Sequence, residues 1–224
     1  DQSWPMLLYG FALQAQLKID QVMIKDLLSS RLGETFANIE LGQYSIAVKM
    51  LEAIAFMPLI VQLAVAPAIA KARIVDVSLY HERLTNQYRL MFAMFLVTAI
   101  PMYFLSEWGI VLLYGEEFRE AGRLLALFAF RLVFSYMGVA KGSFITNESL
   151  FKFSLITSVL GAVINISLNA WLIPWLGARG AIWASAISFF VSIFVVDLFT
   201  ARTRINFRLM MNGMLTFWKL RAAK

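Results

Sequence analysis

Within "ALQAQLKIDQVMIKDLL", residues 12–28, Gln14, Lys18, Gln21 and Lys25 recur at spacings of 4, 3 and 4 and share one face of a helix. Asp20 lies two residues from Lys18 and points well away from that face, so one helix carries two polar surfaces. Further along, Lys49 and Glu52 stand three apart, a spacing that lets them pair. Arg131 sits near the middle of "LLALFAFRLVFSYMGVAK", with Lys141 toward its end, and Asp197 closes the last apolar run. All of these groups interrupt strongly apolar sequence. A charge at the centre of a membrane helix costs roughly 2.5–3.5 kcal/mol on insertion scales, so such residues usually face a bundle interior or a wet cavity.

Depth separates them. Lys18 lies 13 residues past Pro5, about 20 Å along a helix that rises about 1.5 Å per residue. That is deep in a hydrocarbon core of about 30 Å. Lys18 and Arg131 are both too deep for easy snorkelling and are expected to face a cavity, whereas Lys25 and Lys141 either line it or snorkel to the interface. Lys49 and Glu52 form a structural ion pair or join the same lining. Asp20 neutralises a lysine, binds a proton or ion, or meets a part of the protein beyond this chain; Glu52 shares the ion-binding option. Asp197 is expected to reach interfacial water. Lysine offers a point charge and arginine a planar fork suited to phosphate oxygens. A wet path lined by both suits a diphosphate headgroup whose lipid tail stays in the bilayer.

Other chemistries find little support. Cysteine is absent and His81 is the single histidine, which excludes thiolate sites and a histidine metal cluster; no cofactor is expected. The acidic cluster of "YGEEFRE" (Glu116, Glu117 and Glu120) is the one place a membrane-embedded glycan enzyme would draw on, but it reads as a solvated loop and helix start, where carboxylates suit the dipole. The net charge of +6 fits cations held on a cytoplasmic face better than nucleic acid.

The elements that must hold these residues are helices. The 224 residues are 60% hydrophobic and 15% charged, against about 45–50% and about 25% in soluble domains. The expected architecture is all-α: a polytopic bundle of six transmembrane helices over 1–203, followed by a basic amphipathic tail over 204–224. The spans are placed near 4–28, 43–70, 89–105, 121–145, 151–173 and 178–199. Ser3 is a candidate N-cap with Pro5 in the first turn. Pro58 should kink the second span. "EWGIVLLYG" reads as an interfacial or re-entrant turn ending at Gly115. Pro174 and Gly177 punctuate the last tight connection. The tail lies on an anionic membrane surface or begins a further span.

Lysines and arginines in the connectors set the orientation. Eleven fall on one side (Lys71, Arg73, Arg83, Arg89, Lys152, Arg202, Arg204, Arg208, Lys219, Arg221 and Lys224) and four on the other (Arg31, Arg119, Arg123 and Arg179). The majority side is expected to be cytoplasmic, with both termini. Strips of small or polar residues, Gly180/Ala184/Ser188/Ser192 and Ser158/Gly161/Asn165/Asn169, read as helix–helix contacts.

With those residues in place, "SWPMLLYGFALQAQLKIDQVMI", "QYSIAVKMLEAIAFMPLIV", "LLYGEEFREAGRLLAL" and "GAVINISLNAWLIPWLGARGAIWASAISF" together resemble the second half of bacterial polysaccharide (O-antigen-type) flippases. These belong to the multidrug/oligosaccharidyl-lipid/polysaccharide exporter superfamily. The resemblance runs in order over residues 2–200, and "KIDQVMI" followed by "YGEEF" is its best part. It implies two six-helix halves around a central cavity working by alternating access in the bacterial inner membrane. The implied partners are an isoprenoid-diphosphate-linked oligosaccharide, the lipid bilayer, a missing N-terminal half and polysaccharide polymerase machinery. A start at Asp1 instead of Met fits a piece cut from something longer. Lys18, Asp20 and Gln21 match the family's "(K/R)IDQ" element, and Lys49 and Glu52 fall in the second segment; Arg131 rests on depth and charge alone. The alternative within the superfamily is export of small organic cations, which favours a carboxylate-dominated cavity.

Overall fold

In the computed structural model, the backbone is described for residues 3–220 and the side chains for 18–220. Among the described residues eight α-helices follow one another: α1 (Ser3–Leu32), α2 (Glu34–Ala55), α3 (Met57–Val75), α4 (Val77–Tyr114), α5 (Arg119–Asn147), α6 (Phe151–Leu176), α7 (Ala178–Phe190) and α8 (Ala201–Leu215). A π turn over Val191–Val195 and a 3-10 turn over Val196–Leu198 join α7 to α8. There is no strand among the described residues. Backbone donors and acceptors in a bilayer must be satisfied within the chain, and a helix does this segment by segment.

Five helical stretches among the described residues are long and apolar enough to cross a membrane: Glu34–Val75, Val77–Tyr114, Glu116–Asn147, Phe151–Leu176 and Ala178–Leu198. The fold is thus an all-α, membrane-embedded bundle. The first expected span is helical throughout as α1, but its side chains up to residue 17, including the expected cap Ser3 and the polar Gln14, lie outside the described residues.

Several boundaries differ from expectation. The second span begins at Glu34 and is broken once, at Phe56, with Pro58 in the first turn of α3, where its missing donor costs nothing. "EWGIVLLYG" is not a separate turn. It completes a single 38-residue helix, α4, that runs through Pro101 and stops at Gly115, whose φ of 97° glycine tolerates. The polar stretch "YHERLTNQYR" looked like a connector because of its charges. It is the outer part of α4, started by the Asp76 carboxylate accepting from the Leu79 amide at 2.7 Å, and one face of it buries Tyr80, Leu84 and Tyr88. Pro174 lies inside α6, so Gly177 alone makes the turn into α7.

The helix joints gather at two ends. At one, Gln43 donates to the Glu117 carbonyl and accepts from the Ala121 amide, Glu40 accepts from the Ala178 amide, and Glu120 pairs with Arg179. At the other, Glu148 pairs with Arg73 and Arg202, tying the α3–α4, α5–α6 and α7–α8 joints together. Among the described connector cations, Arg73 and Arg202 thus meet at one end and Arg179 stands at the other, while Arg221 and Lys224 lie outside the described residues. α8 begins at Ala201 and docks on α4 where Asn206 accepts from the Tyr88 hydroxyl and Gly213 packs on Thr85 and Tyr88, burying Thr203 and Met210 as well, while Arg202, Arg204 and Arg208 stay exposed.

α5 is the axis of the bundle, touching α2, α3, α4 and α7. In its most apolar window 56% of residues are buried, against 11% for the α2–α3 stretch, whose apolar side chains face outward. Glycines set the closest approaches. A Cβ on Gly122 would stand 2.6 Å from the Glu107 backbone where α5 crosses α4, whereas one on Gly42 meets nothing within 4 Å. Gly122→Ala should therefore destabilise the protein by about 1–3 kcal/mol. Gly42→Ala should be neutral or stabilising by up to about 1 kcal/mol. Thermal unfolding of the two detergent-solubilised variants checks the contrast.

Candidate functional site

A cavity of about 670 Å³ lies between α2, α3, α5, α6 and the end of α7, and it receives Asp20 from α1. Most of its wall is apolar, with Tyr44, Glu52, Gln62, Arg131, Lys141 and Thr157 interrupting it. The apolar wall follows from the sequence: the helices that make it are runs of Leu, Val, Ile and Phe, and the polar groups are single insertions. A space of this size and polarity is wide enough for water and for a headgroup.

Arg131 enters from the middle of α5. It is only 7% exposed, and its guanidinium lies over the rings of Phe128 at 5.1 Å and Phe189 at 5.2 Å. Its Nε finds no hydrogen-bond partner among the described residues. Two aromatic faces hold the fork in place by cation–π attraction without using up its in-plane donors. A buried cation that lines a cavity and keeps one donor unpaired among the described residues, with Asp20 as its nearby countercharge, is suited to an anion.

Asp20 is 1% exposed and fully engaged. The Tyr44 hydroxyl donates to its Oδ2 at 3.0 Å and the Asn169 amide donates to its Oδ1 at 2.7 Å. Asn169 also donates to Asn165 Oδ1 at 3.3 Å. The carboxylate thus joins α1, α2 and α6, and its surroundings are rich in oxygen.

Lys141, Asp197 and Asn206 form the second buried polar group. The Lys141 ammonium pairs with Asp197 Oδ1 at 2.5 Å, with side-chain exposures of 8% and 0%. Lys141 therefore does not snorkel, and Asp197 does not reach interfacial water. The π turn and the 3-10 turn after α7 carry Asp197 inward, where Asn206 of α8 donates to its other oxygen at 2.8 Å.

The remaining expected site residues are spread out. Lys18 is exposed and pairs with Glu52 at 3.4 Å, so Glu52 joins α1 to α2 through Lys18 and not through its neighbour Lys49. Lys25 and Lys49 are exposed and Gln21 is half-buried; none of these three, nor Lys18, lines the cavity. The structure thus gathers Asp20, Glu52 and Arg131 around one space and leaves Lys18, Lys25 and Lys49 on the exposed surface of α1 and α2. The Gln14 side chain lies outside the described residues. Tyr44, Gln62, Asn165 and Asn169 belong to the site without having been singled out for it by sequence. The asparagines were visible as carboxamides four apart in an apolar run, the mark of a polar partner in a neighbouring helix. Glu116 and Glu120 are tied to Arg119 and Arg179.

Compared with protein-family models, with curated proteins and with solved structures, the chain matches none of them.

The buried pair supplies a test of the packing. Asp197→Leu should cost about 3–5 kcal/mol of stability, because it strands the Lys141 ammonium. Adding Lys141→Met should recover most of that loss. Thermal unfolding of the single and double variants measures the recovery, and no recovery would mean that the pair is not the source of the loss.

Proposed function

We propose that this chain is the C-terminal half of a membrane transporter that moves an isoprenoid-diphosphate-linked oligosaccharide from the inner to the outer leaflet of the bacterial inner membrane, by alternating access. The observation that carries this proposal is Arg131, a guanidinium buried mid-helix that lines a cavity of about 670 Å³ and whose Nε has no partner among the described residues. Its chemistry fits the diphosphate, the charged part of such a substrate. The ordered resemblance to polysaccharide flippases supports the same assignment. So does the surface of α1 and α2, where Lys18, Lys25, Lys49 and Glu52 are exposed beside outward-facing apolar side chains. Charges at that depth require protein or water opposite them, which an N-terminal half would supply. Under this proposal the face bearing Arg73, Arg202 and Arg208 is cytoplasmic, and polymerase machinery takes the product.

A second function is favoured by the carboxylates Asp20 and Glu52 in the same cavity: export of small organic cations by the same fold. Both functions allow Asp20 to couple transport to an ion gradient. Its carboxylate, which accepts from Tyr44 and Asn169, is the group that would take the proton or a monovalent cation.

Arg131→Gln should lower translocation of the lipid-linked sugar at least about 30-fold, the equivalent of roughly 2 kcal/mol for a truncated buried charge contact, with membrane insertion near normal. Arg131→Lys should retain part of the activity, and Lys18→Ala should impair it. Surface polysaccharide in a flippase-deficient host reads the outcome; full assembly by Arg131→Gln would refute the anion path. Export of cationic dyes by the parent, with no sugar translocation, would select the second function.

A further inference from the structure

Lys141 uses all three of its donors, on Asp197 Oδ1, on the Ile193 carbonyl at 3.2 Å and on the Ser192 carbonyl at 3.3 Å. Both carbonyls belong to the π turn, a helix irregularity found often at functional positions. From Asp197 the chain of bonds continues through Asn206 Nδ2 to Asn206 Oδ1, which accepts from the Tyr88 hydroxyl at 2.6 Å. Thr203 adds a bond to the Asp197 carbonyl at 2.9 Å. One buried line of polar contacts therefore joins α5, the end of α7, α8 and α4.

Only the first member of that line reaches the cavity. Lys141, Ser192 and Ile193 line it and Asp197 does not. Lys141 and Arg131 lie ten residues apart on α5, about 15 Å along its axis, and both face the same space. Lys141 stands toward the end where Glu148 ties the joints, so a headgroup entering there meets Lys141 before Arg131. Were Lys141 to leave, Asp197 would keep its Asn206 donor and lose its charge partner, which is what would loosen the packing around it.

We propose that Lys141 is an exchangeable cation: a diphosphate entering the cavity takes its ammonium from Asp197, and the exchange loosens the joint between the π turn and α8. The identity of the anion rests on the transport function proposed above. The geometry makes Asp197 a built-in competitor for the same ammonium, so the pair holds the cavity's second cation in reserve and α8 reports whether that cation has exchanged.

The sequence contains no cysteine, so a single Leu215→Cys on the exposed side of α8 can carry a spin label in the full protein held in nanodiscs. Inorganic pyrophosphate should raise the label's mobility in the parent and leave it unchanged in Lys141→Gln. Asp197→Asn should be mobile without pyrophosphate and should bind it about tenfold more tightly, a difference of about 1.4 kcal/mol, because the competitor is gone. A merely structural ion pair would give no such tightening. Equal or weaker pyrophosphate binding by Asp197→Asn, or an undiminished label response in Lys141→Gln, overturns the exchange. If Asp197→Asn does not fold, the label response of the parent against Lys141→Gln decides alone. Arg131→Gln separates the two levels: lost pyrophosphate binding there, with no tightening in Asp197→Asn, keeps the anion path and removes the exchange. Parent-like pyrophosphate binding by Arg131→Gln, with the label still responding through Lys141, removes Arg131 from the path and keeps the exchange. Nanodiscs containing an isoprenyl diphosphate, without pyrophosphate, identify the source. A label response there assigns the exchange to a lipid-borne headgroup, and a response to pyrophosphate alone assigns it to a soluble diphosphate.

Discussion

An ionised side chain removed from water has to find its compensation close by, because a medium of low dielectric supplies none. In this bundle each deep charge meets that demand differently. Asp20 is compensated by donors from two other helices, and Lys141 by a carboxylate and two carbonyls. Arg131 has two ring faces and the charge of Asp20 near it, and its buried Nε has no partner among the described residues. The first two arrangements are complete among the described residues. The third leaves a donor unpaired there, which is why the proposed function attaches to Arg131.

The same demand organises the fold. Polar residues that satisfy one another across helices, such as Asn169 with Asp20 and Asn206 with Asp197, fix which helix faces meet, since apolar side chains in lipid discriminate weakly between partners. Small residues set how closely those faces approach. Gly122 and Gly180 let α5 reach α4, and let α7 fold back on α6, at backbone distance. Stability and the cavity thus share a cause. The polar groups that pull α1, α2, α5 and α6 together also leave an uneven space between them that hydrocarbon side chains do not fill.

Much of the architecture was legible because membrane helices announce themselves by length and apolarity. The approximate positions of five of the six expected spans, the break near Pro58, the stop at Gly115 and the separation of Arg73 and Arg202 from Arg31 and Arg179 follow from composition and local chemistry. The outer half of α4 was not legible, because its charges resemble a connector and only the packing of Tyr80, Leu84 and Tyr88 identifies it as helix. The site was half legible. Depth alone picked out Arg131, but which charge pairs with which depends on helix rotation, a property of tertiary packing. Glu52 therefore went to Lys18 and not to Lys49, and Asp197 went inward. Asn165 and Asn169 were noticed for their size and spacing, while their partner lay 149 residues away in sequence for Asn169 and Asp20.

The π turn at Val191–Val195 has a geometric consequence of its own. An α-helix advances about 100° per residue, and a π turn absorbs one extra residue within a single turn. Every position after it is displaced in phase from the small-residue seam of α7 that precedes it. Asp197 owes its inward bearing to that offset together with the 3-10 turn that holds it: deleting one residue of the π turn would turn the carboxylate by roughly 100° and away from Lys141.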